Sequence, residues 1–233
     1  MVLNMGPSHP AMHGIIRILL ELEGEKVKKS DVEIGYLHRG FEKTCENVTY
    51  AQIMPYTDRL NYVSPFINNI GYALAVEKLL GIEVTERCKY VRVIMCELSR
   101  VCDHLTCVGA SAMELGAFTV YFYLINAREF LYKLTDSVAG GRITPAYARI
   151  GGLARDLPQN FSSLALETLK KVEVNISDAD KLLTRNRIFH DRLKGTGKIS
   201  KEDAVSFAFT GPLLRAAGIP YDVRKASPYL VYE

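Results

Sequence analysis

The hydrophobic pattern changes period about forty residues into the chain. Within 15-IIRILLELE, Ile16, Ile18, Leu20 and Leu22 share one side, while Arg17, Glu21 and Glu23 take the other. That alternation is the mark of a half-buried strand. Glu23-Gly24-Glu25 supplies a turn into 26-KVKKSDVEI, which alternates weakly, so a β-hairpin with a polar outer face is predicted. Beyond Gly40 the apolar residues recur with helical spacing. Pro65 opens a helix over Phe66–Leu80, with Ile67, Ile70, Leu74 and Leu79 near one side and Gly81 ending it. Thr85 caps a long helix from Glu86 toward Met113, in which Val91, Ile94, Leu98, Val101 and Leu105 keep the i, i+3, i+4, i+7 rhythm. A third helix follows Gly116 to about Val138. Gly140-Gly141 and Gly151-Gly152 bracket a loop or short hairpin, and Phe161–Leu183 returns to helix after Pro158. From Gly195 a short helix at Lys201–Phe209 gives way to Gly and Pro every few residues.

The expected fold class is α+β. A small N-terminal antiparallel β region (1–40) is followed by a mainly α-helical bundle (41–194) and a short-helix, irregular tail (195–233).

Composition narrows the function classes. At 233 residues, 48% hydrophobic and 24% charged, the chain is neither disordered, collagen-like nor a disulfide scaffold. A net charge of +3 from 29 basic and 26 acidic side chains is too balanced for nucleic acid. Five cysteines without a C-x2-C pair read as core thiols in a reducing compartment, those at 96, 102 and 107 included. The opening MVLNMGPSHP shows no signal-peptide pattern. Leu105 to Ala127 is long enough to span a bilayer, but Glu114 near its centre would cost about 2.5–3.5 kcal/mol, so a buried bundle helix is the better reading.

Four places carry candidate chemistry. The loop 6-GPSHPAMHG presents His9 and His13 in a stretch that Pro7 and Pro10 stiffen; loop histidines without a role are the alternative. The segment 55-PYTDRLNYVSP is unusually polar between two helices. A phenol with an ordinary pKa of about 10 stays protonated at neutral pH and can donate. Tyr62 reads equally as a packing residue, and Asp58–Arg59 as a surface ion pair. Glu114 is either a buried proton carrier or a helix-end carboxylate meeting solvent. Glu97, Arg100 and His104, at i, i+3 and i+7, form a structural ion-pair strip or a functional one.

Taken together, 5-MGPSHPAMHG, 35-GYLHRGFEK, 55-PYTDRLNYVS, 75-AVEKLLGIEV, 97-ELSRVCDHL, 113-MELGA, 183-LTRNRI and 223-VRKASPYLVY resemble the 49-kDa-type subunit family of respiratory complex I, the proton-pumping NADH:quinone oxidoreductase. The resemblance runs from Met5 to the last residue and covers the first part of the family's length, so a C-terminally truncated product is expected. Alone, such a product would expose apolar surface and aggregate.

The family is related to nickel–iron hydrogenase large subunits. Their metal-binding R-x-C-G-x-C aligns with Arg59-Leu60-Asn61-Tyr62-Val63-Ser64. Asn61 and Ser64 replace the thiolates and are no soft ligands for nickel, so no metal is expected. The resemblance implies that His13 and Tyr62 hold a quinone head group, with His9 lining the pocket. It implies electrons from a [4Fe-4S] cluster in the neighbouring small iron–sulfur subunit, near Arg39, Arg142 and Thr144. FMN and NADH would bind elsewhere in the complex, and no cofactor on this chain alone.

Glu114 stands where the family often has Asp and matches its proton relay. Thr144 replaces a common histidine, which implies weaker proton coupling at the cluster and a low-potential quinone such as menaquinone. Membrane-arm subunits would be further partners, with the protein peripheral on the cytoplasmic side of a bacterial membrane. The alternatives are a relative fed by reduced ferredoxin or coenzyme F420, a hydrogenase large subunit, and an inactive truncated scaffold.

Overall fold

The alternating N-terminal region forms a three-stranded antiparallel sheet, β1 (Val2–Met5), β2 (Arg17–Glu23) and β3 (Lys26–Glu33), in that spatial order. The computed structural model describes residues 1–9 and 14–232. Ile18, Leu20 and Leu22 of β2 are half-buried and Glu21 and Glu23 exposed, as alternation requires, but Arg17 and Leu19 are half-buried too, so the alternation in exposure holds only over the second half of the strand. The predicted hairpin is therefore β2–β3, with a register irregularity between Glu21 and Leu22. β1 was not legible in the sequence. Its four residues are too few for an alternation, and its place comes from backbone pairing with β2. A polar chain crosses all three strands: Arg17 donates to Asn4 at 3.0 Å and to Glu33 at 2.9 Å, and Tyr36 donates to Glu33 at 3.1 Å. Met1–Thr49, which also holds the short α1 (Phe41–Cys45), is one compact unit.

The second unit starts at Tyr50. α2 (Tyr50–Thr57) leads to α3 (Pro65–Leu80), α4 (Glu86–Glu114) and α5 (Phe118–Ala139). Pro65 occupies the first turn of α3, and Gly81 ends it at φ 66°, a left-handed conformation that favours glycine. Thr85 caps α4 by accepting from the Cys88 amide. α5 packs between α4 and α6 (Phe161–Leu183), and the core is centred on Ile70, Met95, Ala127, Leu131, Leu134 and Val138. Each of the larger of these side chains contributes about 1.5–3 kcal/mol by leaving water, and the Ala127 methyl about 0.8 kcal/mol. The loop after α5 makes a two-stranded hairpin, β4 (Ala148–Arg149) and β5 (Gly152–Leu153), and Tyr147 beside it meets Phe66 edge-on at 5.9 Å. Four short helices complete the chain: α7 (Arg187–Leu193), α8 (Lys201–Ser206), α9 (Gly211–Ala216) and α10 (Val223–Ala226).

The main helices start and stop where the sequence places them, but details of their faces differ. Leu79 is exposed. Nine residues beyond Ile70 put it about 180° around the helix, so it could not share that face. Ile94 is also exposed, and Cys107 is an exposed thiol rather than a core one. Five residues past buried Cys102, Cys107 lies about 140° away. Helix α8 stops at Ser206 instead of Phe209. The apolar run Leu105–Ala127 is divided between α4 and α5 at Leu115–Ala117, with Gly116 at φ 90°. Among the described residues, no helix is long and apolar enough to cross a membrane.

Candidate functional site

The segment 58–64 joins α2 to α3 and carries most of the polar chemistry anticipated for the helical unit. Pro55 sits inside α2, so the helix runs through the proline and delivers Asp58 to the interior. Asp58 is fully buried, which corrects the surface ion pair expected with Arg59. Its Oδ1 accepts from the Asn69 amide, while Oδ2 has no hydrogen-bond partner among the described residues and lies 3.8 Å from Arg59 Nη1. Burial raises the Asp58 pKa to about 6, against the opposing pull of Arg59, Arg149 and the Asn69 bond. Asn69 also donates to the Thr57 hydroxyl at 2.9 Å and the Met54 carbonyl at 3.0 Å, and it accepts from the Ala148 amide at 3.3 Å. Sequence reasoning missed Asn69. Its signal was a polar residue one position before Ile70, on the buried side of α3.

Past this anchor the loop turns outward. Tyr62 is 60% exposed. Its neighbours are held: Asn61 Nδ2 donates to Ser64 Oγ at 2.7 Å and to Asp103 Oδ2 at 3.3 Å, and Ser64 Oγ donates to the same carboxylate oxygen at 3.4 Å. Asn61 and Ser64 thus form a hydrogen-bonded amide–hydroxyl pair facing a carboxylate of α4. Such hard, neutral donors suit no soft metal. Among the described residues no cluster of three or more His, Cys, Asp or Glu is placed to hold a metal ion. Asp103 was also missed; within 97-ELSRVCDHL nothing but a lone acid beside His104 marked it.

The other expected residues are distributed. His13 lies outside the described residues, and His9 is exposed in the first unit, as is Arg39 ahead of α1. Glu114 is the last residue of α4 and is exposed, so of its two readings the helix-end carboxylate holds and the buried carboxyl does not. It lies eleven residues beyond Asp103, about 16 Å along the helix. Arg142 pairs with Glu129 of α5, and half-buried Thr144 follows in the same loop.

The strip on α4 is an ion-pair network. Arg100 Nε lies 3.1 Å from Glu97, and the tail adds Tyr232, which donates to Glu97, and Arg224 at 3.8 Å. Burial, then the Glu97 contact, raises the Tyr232 pKa. His104 and Arg100 line a cleft with Ile67, Arg215, Arg224 and Tyr229.

Two features frame the comparison with known proteins: a helical scaffold built on long central helices, and a polar loop between α2 and α3 that exposes Tyr62. Residues 114–233 match the model of the respiratory-chain NADH dehydrogenase 49 kDa subunit, and the chain belongs to that family. Over all 233 residues it is 57% identical to the NADH-quinone oxidoreductase D 1 subunit of Sorangium cellulosum, covering 58% of that protein. It is 57% identical to the D 1 subunit of Anaeromyxobacter dehalogenans and 53% identical to the corresponding NADH-quinone oxidoreductase subunit of Myxococcus xanthus, covering 54% and 56% of them. The chain therefore spans little more than half the length of these curated relatives.

Proposed function

We propose that this chain forms part of the quinone-reducing site of a complex I-type NADH:quinone oxidoreductase. What supports the reading is Tyr62, exposed on a loop whose flanking residues are pinned to α4, in a chain of the 49 kDa subunit family. Two electrons and two protons convert a quinone to a quinol, and negative charge develops on the two carbonyl oxygens. Tyr62 Oη donates to one oxygen and the His13 imidazole to the other, with His9 lining the pocket. Donors fixed where charge develops stabilise it and can then deliver the protons. Glu114 serves as a proton relay toward His13. Electrons come from a [4Fe-4S] cluster on the neighbouring small iron–sulfur subunit, faced by Arg39, Arg142 and Thr144. FMN and NADH bind elsewhere in the complex. The assembly sits on membrane-arm subunits at the cytoplasmic side and couples reduction to proton translocation.

The test is Tyr62→Phe in native membranes, comparing NADH-driven quinone reduction with reduction of ferricyanide, which takes electrons upstream. Loss of the quinone rate with ferricyanide reduction retained supports the assignment. Retention of both rates places Tyr62 outside the site.

A further inference from the structure

We propose that Asp103 is a positioning residue for the quinone site: its carboxylate clamps the Tyr62 loop to α4 through Asn61 and Ser64. The inference rests on the reading of Tyr62 given above. Tyr62 itself is mostly exposed, so packing does little to fix its backbone. The residue before it does have a fixed partner, because Asn61 Nδ2 reaches both Ser64 Oγ and Asp103 Oδ2. Ser64, buried at the start of α3, donates to the same Oδ2. One carboxylate oxygen therefore gathers both ends of the Asn61–Ser64 turn onto α4, about three helical turns before its end. The turn is closed internally by the Ser64 amide donating to the Asn61 carbonyl at 3.1 Å. A turn held at both ends can pivot only as a unit, so Asp103 sets where the phenol is presented. Misplacing a donor by about 1 Å can cost on the order of a hundredfold in rate. No cation is needed: one carboxylate oxygen has two lone pairs and accepts from both donors.

The experiment uses native membranes carrying the assembled complex, with quinone KM, kcat and ferricyanide reduction measured for each variant. Asp103→Leu is expected to raise the quinone KM roughly tenfold with ferricyanide reduction unchanged, a displacement of about 1.4 kcal/mol. Asp103→Asn keeps the shape and one acceptor oxygen and is expected to stay within about threefold of the parent. The double variant Asp103→Leu/Asn61→Ala should be no worse than Asp103→Leu, since both remove one clamp. Should Asp103→Leu fail to assemble, Asn61→Ala, on the exposed side, carries the test with the same expected rise. An unchanged KM in an assembled Asp103→Leu or Asn61→Ala complex overturns the clamp, and so do additive losses in the double variant. If Tyr62→Phe kills quinone reduction while Asp103→Leu leaves KM alone, the site stands and the clamp falls. If Tyr62→Phe is silent while Asp103→Leu raises KM, the clamp stands and the assignment of Tyr62 falls.

Discussion

Two polar clusters tie α4 to its neighbours, and they are built to opposite specifications. One is sealed. Arg92 and Glu77 are buried and pair through two bonds of 2.6 and 2.8 Å between α4 and α3. Arg92 also donates to the carbonyls of Arg149 and Gly152, and Glu77 accepts from the Gly151 amide at 2.8 Å, so the pair holds the β4–β5 hairpin as well. Burial disfavours the Glu77 charge, but the Arg92 bonds and the Gly151 amide outweigh it and hold the pKa below the usual carboxylate value. The other cluster, Asn61–Ser64–Asp103, is open on one side, reaches α4 through longer bonds of 3.3 and 3.4 Å, and flanks an exposed tyrosine. In the first, geometry is spent on rigidity. In the second, a firm anchor carries a side chain that remains available to a ligand.

The largest effect should come from breaking the sealed cluster. Glu77→Ala leaves the Arg92 guanidinium buried without its counter-charge and frees the Gly151 amide. A loss of about 3–5 kcal/mol is expected. Urea pulse proteolysis at low protein concentration would measure it. Replacing both partners with Glu77→Leu/Arg92→Met removes the uncompensated charge but still strands the hairpin carbonyls and amide, so the double variant should recover only part of the loss. A cost below about 1 kcal/mol for Glu77→Ala would mean that water reaches the pair, and the contrast between the clusters would dissolve.

Next in size is the pH response of Asp58, the buried root of the open loop. Its native pKa of about 6 lies above the unfolded value, so between the two the folded chain holds more protons. The stability this group contributes is fully present below about pH 4 and is lost as pH rises through 6. Asp58→Asn should abolish that dependence. The stability difference, variant minus parent, should climb by up to about 3 kcal/mol between pH 4 and pH 7.5. Any constant cost of fitting the second amide group where Oδ2 had no partner cancels in that slope. A flat difference across the range would show Asp58 ionised throughout and neutralised by Arg59 and Arg149, the charges that face it.

These assignments were unequally legible in the sequence. Helices α3, α4, α5 and α6 could be bounded because their ends are chemical: Pro65 and Gly81, the Thr85 cap, Gly116, Gly140, and Pro158 before Phe161. Strand β1 and helix α2 could not. One depends on a partner strand, and the other runs through a proline that reads as a stop. The Tyr62 loop was visible as a polar island between helices, yet its wiring was not. Asp58 beside Arg59 suggests a pair, whereas burial of Asp58 is decided by Asn69, and the clamp by Asp103. Glu77 was the most recoverable omission. Seven residues past Ile70 it falls on the buried face of α3, where an acid demands a partner.

The smallest stability effect should come from the open cluster, and that sharpens the contrast most. Asn61→Ala removes two hydrogen bonds at an exposed position, and water can replace them at Asp103 and Ser64. A change of less than about 1 kcal/mol is expected in the same proteolysis assay. Against the roughly 3–5 kcal/mol at Glu77, this would separate a cluster that holds the fold from one that only aims a loop. If Asn61→Ala instead destabilises the chain by more than about 2 kcal/mol, beyond what two solvent-replaceable bonds can supply, the 58–64 turn is part of the cooperative core. Any loss of quinone reduction in that variant would then follow from the fold rather than from the placement of Tyr62.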